Sequence, residues 1–289
     1  MNGIVIVDKP AGWTSQDVVS KLRGVLHTRR IGHGGTLDPM ATGVLPVFIG
    51  RGTRAVEFFE HAEKTYEAVL HLGITTDTED ISGTVLKTRE VSVSEEAFFA
   101  VLEQFRGEIQ QIPPMYSALK INGQKLCDLA RRGKEVERKP RTITIHKLDC
   151  IAFDGTFAHL RITCSKGTYI RTLCKDIGDA LGCGGCMESL RRVAAGAYTI
   201  EEAIPLQALA DATDPERMLR PIDSMFLQYP AVTLTEKQEI RCRNGNSFSV
   251  DRNDDTYRAY STSGEFLMLA KVESGVMLTI KSFFEVESL

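Results

Sequence analysis

The sequence predicts an α+β fold with a small β-barrel module at its C-terminal end. Three observations predict it. Strand-like and helix-like segments mix without a regular βαβ beat, which argues against a doubly wound parallel sheet. The chain has 289 residues, more than one domain of ~100–200 residues usually takes. The region after residue 230 breaks into short strand-like runs between polar turns, the pattern of a small barrel.

Each element has a local reason. Residues 4–7 are a β-branched run and read as a buried strand, followed by a turn at 8–12. Ser15 reads as the cap of a helix carrying Val18, Val19, Leu22 and Leu26 on one face. Residues 32–39 form a loop by composition, and 53–62 read as helical. Residues 65–73 alternate through Tyr66, Ala68, Leu70 and Leu72 as a strand. Ser92 with Glu95 resembles a capping box before a helix with Phe98, Leu102 and Phe105. Residues 124–132 read as a short helix closed by Gly133. Residues 142–153 and 157–164 read as a hairpin around Asp154-Gly155. Thr168 is expected to cap an amphipathic helix over 168–181, and 187–195 to form a further helix. Residues 205–210 and 215–219 are short helical patterns that each open with proline. The boundary falls near 227–231 and divides the chain into residues 1–228 and 229–289. Beyond it come strand-like runs at 231–234, 247–250, 257–260, 266–272 and 276–280.

Composition removes several classes. The chain is 43% hydrophobic and 25% charged, which suits a globular protein. Its apolar run at residues 44–49, which includes Pro46, is six residues, and no run is longer, far short of the ~20 residues of a membrane span. The first residues lack the basic flank and apolar length of a secretory signal, so a cytoplasmic protein is expected. Seven scattered cysteines do not make a disulfide framework, and Cys183 and Cys186 form one lone CxxC without the second pair a structural zinc site needs. No metal is expected.

Net charge is −3, but its distribution matters more. Lys120, Lys125, Arg131, Arg132, Lys134, Arg138, Lys139 and Arg141 face only Asp128, Glu135 and Glu137 over residues 120–141. Such a basic stripe is either a solvated helix face or a phosphate-contacting surface.

The segment Gly34-Gly35-Thr36-Leu37-Asp38-Pro39 reads two ways. It is a tight turn by its dipeptides, or a constrained loop that aims a carboxylate. A nucleotide cradle fails: Leu37 stands where GxGxxG needs glycine, and Glu135 follows the only Gly-Lys pair. Arg171 lies in the first turn of its expected helix, against the helix dipole. That placement predicts a carboxylate partner, which would keep an aspartate ionised in a desolvated pocket. Tyr66 is either strand packing or an aromatic face for a base. His33 alone reads as a loop histidine.

Taken in order, these pieces are similar to a known family. Residues 3–15 resemble the opening motif of the TruB family of tRNA pseudouridine-55 synthases, and residues 32–47 its catalytic motif. Lys64-Thr65-Tyr66 resembles its tyrosine motif, residues 113–120 with Gly123 and 130–133 the segment that follows, 166–173 its arginine motif, and Leu190-Arg191-Arg192 its last helix. Two departures stand out: Cys127 occupies a commonly aromatic position, and Cys186-Met187 replaces a less thiol-rich stretch.

The resemblance implies a central mixed, mostly antiparallel sheet flanked by helices and a PUA-like RNA-binding C-terminal domain. It implies isomerisation of uridine 55 in the tRNA T-loop. Asp38 would open the N-glycosidic bond, either by adding to the base or by deprotonating the sugar. Arg171 would hold Asp38, and Tyr66 would stack on the flipped base and take the C5 proton late. Tyr169 would line the pocket and Lys9 would support the loop. His33 would occupy or reshape the space the uridine leaves. Leu190 would touch substrate, and Lys120, Arg131 and Arg132 with Arg141, aided by Arg29 and Arg30, would meet T-stem phosphates. No cofactor and no obligatory protein partner are implied, and the chain is expected to act as a monomer. The C-terminal module is expected to touch the acceptor end lightly and to be dispensable for chemistry. The alternatives are a non-catalytic RNA-binding or RNA-folding protein on this scaffold, a guide-RNA-dependent relative, and a redox or zinc protein built on Cys183 and Cys186.

Overall fold

A computed structural model describes residues 1–121 and 123–285, apart from the side chain of Lys125. The expected C-terminal module therefore extends four residues past the described part, and the Lys125 side chain of the basic stripe lies outside it.

The catalytic-motif half is built on one ten-stranded sheet. Its elements are β1 (Gly3–Lys9), α1 (Ser15–Val25), β2 (Ile31–His33), β3 (Thr42–Ile49), α2 (Val56–Phe59), β4 (Lys64–Leu72), and a separate hairpin of β5 (Ile74–Thr76) and β6 (Val85–Thr88). They continue with α3 (Glu95–Glu103), β7 (Gly107–Gln111), the small hairpin β8 (Lys120–Ile121) and β9 (Gln124–Lys125), α4 (Leu126–Arg131), β10 (Arg141–Phe153) and β11 (Phe157–Cys164). The half closes with α5 (Ile170–Ala180), β12 (Gly185–Ala195), β13 (Tyr198–Thr199), β14 (Ile204–Pro205) and α6 (Leu206–Asp211). The strand order is β14-β1-β3-β12-β4-β11-β10-β7, with β2 on β3 and β13 on β12. Only the β14–β1 and β3–β12 pairings are parallel. The sheet is thus mixed and mostly antiparallel.

One expectation is overturned outright. Residues 187–195 are not a helix but lie in β12, at the centre of the sheet between β3 and β4. The cause is visible in the register. Bulges after Met187 and after Arg192 each insert one unpaired residue, so the inward positions slip phase. Buried Met187, Leu190 and Val193 then recur every third residue and mimic a helix. The expected "last helix" of the arginine pair is this same strand.

Smaller corrections concern caps. Thr14, not Ser15, caps α1: its hydroxyl accepts from the Asp17 amide, and its own amide donates to the Asp17 carboxylate to complete a capping box. The Ser15 hydroxyl turns inward and accepts from the Leu37 amide at 2.9 Å. Ser94, not Ser92, caps α3. Thr168 donates back to the Ser165 carbonyl, and α5 starts after Tyr169, whose amide donates instead to Gln111 Oε1. The expected helix at 124–132 begins only at Leu126, because residues 124–125 pair in β9. The basic stripe is therefore not one helix face. Pro205 sits just before α6 rather than inside it, while Pro215 does open a single 3₁₀ turn.

The C-terminal sheet comprises β15 (Ala231–Thr233), β16 (Phe248–Ser249), β17 (Thr256–Tyr260), β18 (Phe266–Glu273) and β19 (Val276–Ser282) in the order β15-β17-β18-β19-β16. A helix, α7 (Glu236–Arg243), lies between β15 and β16 and was not expected. Its signal was the capping box of Thr235 and Gln238, on a helix with little apolar periodicity. This sheet is not a detached bead. Leu269 and Phe283 share one buried apolar cluster with Ile4, Ile6, Val44, Phe48 and Phe226. Phe58, Phe266 and Phe283 all pack on Phe226.

The other face of the large sheet carries the main core, from Val18 and Leu22 of α1 to Leu173 and Ile177 of α5. The burial pattern of β1 alternates between the two clusters, with Val5 and Val7 in one and Ile4 and Ile6 in the other. Among the described residues no helix is long and apolar enough to cross a membrane.

Candidate active site

Asp38 lies on the loop between β2 and β3, and this loop is tied down on three sides. Leu37 is buried in the main core and its amide is held by Ser15. The Pro39 carbonyl accepts from the Gly12 amide at 2.8 Å and from Lys9 Nζ at 3.2 Å. Lys9 also donates to the Trp13 carbonyl at 2.5 Å and the Pro10 carbonyl at 2.9 Å. Lys9 is wholly buried, and that burial pulls its ammonium down to about 8. The expected loop support by Lys9 thus has a concrete form: one ammonium joins the opening motif to the catalytic loop.

Arg171, in the first turn of α5, reaches this loop. Its Nε lies 2.9 Å from Asp38 Oδ2 and its Nη2 donates to Asp38 Oδ1 at 3.3 Å. This is the fork that the anti-dipole position of Arg171 predicts. The rest of the guanidinium is satisfied as well, by the Thr78 carbonyl at 3.0 Å and the Tyr116 carbonyl at 2.8 Å.

Sequence reasoning missed a second carboxylate. Asp80 Oδ2 lies 3.7 Å from Arg171 Nε and is buried. Its other oxygen, Oδ1, accepts from Thr78 Oγ1 at 2.8 Å and from the Ser82 amide at 3.0 Å. Glu79 beside it adopts φ 65, a conformation rare for a non-glycine residue, and its carboxylate accepts from Thr172 Oγ1 at 2.5 Å. Residues 78–80 therefore wrap the arginine from the far side. The acidic turn 77–80 followed by Ser82-Gly83 was the only sequence trace of it.

The electrostatics differ from expectation in one respect. Burial pushes the Asp38 carboxyl above the ordinary carboxylate range; Arg171 opposes this and Asp80 adds to it. A third of the Asp38 side chain remains exposed. Replacement of Asp80 by asparagine removes a like charge and leaves Arg171 to Asp38 alone. On the reading that Asp38 reacts as a carboxylate, the acid limb of kcat/KM is therefore expected to move to lower pH in Asp80→Asn. A pH–rate profile in which that limb stays or rises would refute this.

Tyr66 sits on β4, opposed in register by Ile162 and Arg192, and is buried. Burial raises its phenol, with the Arg192 charge acting against it. Tyr169 is half-buried at the start of α5, where Gln111 Nε2 donates to its carbonyl at 3.0 Å. His33 ends β2, and burial with Arg192 holds its imidazole neutral. Leu190 is in the main core with Tyr66 rather than on an open surface. Lys120, Arg131, Arg132 and Arg141 are exposed; Lys120 and Arg132 line one cleft with Gly123, Gln124 and Asp128.

Burial raises both thiols of the lone CxxC, that of Cys186 to about 11, so neither is a ready thiolate. Among the described residues no three His, Cys, Asp or Glu side chains gather as a metal site would need.

Comparison with known proteins accords with this geometry. The profile of the TruB family pseudouridylate synthase N-terminal domain matches residues 23–170, and that of the tRNA pseudouridylate synthase B C-terminal domain matches residues 171–227. The chain belongs to the TruB family. Two TruB relatives named tRNA pseudouridine synthase B show how much of the length is shared. That of Clostridium kluyveri is 42% identical over 273 residues, 92% of this chain and 94% of the relative. That of Pseudomonas fluorescens is 46% identical over 253 residues, covering 85% and 82%. Among solved structures, a chain of a Cbf5-Nop10-Gar1 complex superposes with a TM-score of 0.73 at 26% identity, covering 99% of this chain and 86% of that one. The profiles stop at residue 227, and the superposition extends the likeness over the C-terminal sheet.

Proposed function

We propose that this protein isomerises uridine 55 in the T-loop of tRNA to pseudouridine. The observation that carries the reading is the Arg171–Asp38 fork, 2.9 and 3.3 Å, in a chain 41–46% identical to relatives named tRNA pseudouridine synthase B. Asp38 starts the exchange of a C–N for a C–C glycosidic bond. Arg171 fixes the carboxylate in orientation and favours its charged form. The target base leaves its stack at a cost of a few kcal/mol. Tyr66 and Tyr169 receive it, and His33 fills the space behind it. Leu190 backs Tyr66 from the core. The isomerisation is redox-neutral and stays within one nucleotide, so it asks for no cofactor.

Lys120, Arg131, Arg132 and Arg141 meet the phosphates of the T stem. Each phosphate contact removed lowers the salt dependence of binding by about one unit of slope. Arg131→Ala with Arg132→Ala is therefore expected to weaken tRNA binding and flatten its salt dependence, with the chemical step unchanged in single turnover. An unchanged slope in filter binding would remove these residues from the interface. Residues 229–289 form a PUA-like RNA-binding domain, and the protein works in the cytoplasm as a monomer without an obligatory protein partner.

The deciding experiment supplies unmodified tRNA tritiated at uridine C5. Release of about one label per tRNA supports a site-specific isomerase. Binding without release, by a correctly folded protein, favours the non-catalytic RNA-binding alternative.

A further inference from the structure

Arg192 is the bulkiest of the fully buried side chains. It comes from β12, where the register sets it between Tyr66 of β4 and Gly43 of β3. Gly43 has φ 102, and a Cβ there would stand 2.2 Å from the Arg192 carbonyl oxygen, so the strands close tightly on the arginine. The guanidinium donates to the Val44 carbonyl at 2.7 Å and, under the catalytic loop, to the carbonyls of Gly35 at 3.2 Å and Thr36 at 3.4 Å. All three partners are main-chain carbonyls. Among the described residues no carboxylate forms an ion pair with it, so its positive field is not cancelled there, and a buried cation held this way costs more than an apolar side chain of the same size.

The groups that face it are informative. Lys9 from β1, His33 from β2 and Lys64 from β4 are bases, and its charge disfavours the protonated form of each. Tyr66 is an acid whose ionised form it favours, against the pull of burial, Cys164 and Asp38. The arginine thus sits below the loop that carries the nucleophile and beside the phenol across from it.

We propose that Arg192 is the positioning residue that sets the Asp38 loop and the Tyr66 hydroxyl in one frame and supplies the charge against which the Tyr66 phenolate forms. The phenolate takes the proton from C5 of the rejoined base. The C5–H electrons restore the C5=C6 double bond, N1 takes a proton from water, and the phenol returns its proton to water. This rests on the synthase reading above, but its first test does not use RNA.

That test pairs two variants. Arg192→Gln keeps donors for the carbonyls and drops the charge; Arg192→Lys keeps the charge and loses the fork. Protein labelled with 3-fluorotyrosine is titrated by ¹⁹F NMR, with Tyr66→Phe identifying the resonance. Tyr66 is expected to become at least about tenfold less acidic in the glutamine variant and to stay near native in the lysine variant. A purely structural brace gives the reverse order and overturns the proposal. If the glutamine variant does not fold, a lysine variant that fails to keep the native titration overturns it alone.

With tRNA deuterated at C5, the glutamine variant is expected to lose about 100-fold in kcat with KM little changed, and to acquire a primary isotope effect the lysine variant lacks. A fall in kcat without that isotope effect also overturns the proposal. Absence of isomerisation by the native protein would instead overturn the synthase reading and leave the titration result standing.

Discussion

Asp38→Asn is expected to lower tritium release from C5-labelled tRNA by at least about 10⁴-fold, the scale of removing a group that defines a reaction. Both mechanisms open to Asp38 require a negative oxygen, to add to the base or to take a sugar proton. The amide keeps the shape and supplies neither. Its neighbours should not move: Lys9 still holds the Pro39 carbonyl and Ser15 the Leu37 amide. Tight tRNA binding is therefore expected to persist, read by filter binding beside the release assay. Near-native release from the asparagine variant would remove Asp38 from the chemistry.

Arg171→Leu is expected to damage both activity and stability. It leaves Asp38 and Asp80 facing each other without their cation, and the Thr78 and Tyr116 carbonyls without donors. Breaking a buried pair from one side costs about 3–5 kcal/mol. The lower end applies, because a third of Asp38 stays in reach of water. The sign of the pH dependence follows from charge. Without Arg171, burial and the Asp80 charge both favour the protonated form of Asp38, so as pH falls Asp38 takes a proton and the repulsion is relieved. The stability gap to the native protein should therefore narrow as pH is lowered toward 5, measured by urea unfolding. A gap that widened would mean Arg171 acts mainly through packing.

The strands and helices with strong local signals were legible in the sequence. The β-branched run at Ile4, the alternation through Tyr66 and the hairpin at Asp154 all fell where periodicity and turn residues put them. Strand β12 was not, because its bulges scramble the two-residue period that identifies a strand. Helix α7 was hidden by the opposite fault, a good cap on a face too polar to show a stripe. At the site, Asp38 and Arg171 stood out through motif and dipole position. Asp80 and the part played by Arg192 did not: Asp80 is an acid in a turn, and Arg192, although within the Leu190-Arg191-Arg192 motif, reads as part of a helix that is in fact strand β12. Only the closure of residues separated by more than ninety positions brings them to the fork and to the tyrosine.

The aromatic seam formed by Phe58, Phe226, Phe266 and Phe283 has a consequence for how the molecule is inherited and lost. Two parts joined by a flexible tether can be shuffled, clipped or replaced singly. Here the last sheet completes a cluster that begins at Ile4, so neither part reaches its full core without the other. Heat should dissolve the molecule in one calorimetric step rather than two. A chain truncated after Tyr229 would strip Phe266 and Phe283 from Phe226 and so open the cluster that also holds Ile4 and Ile6 of β1.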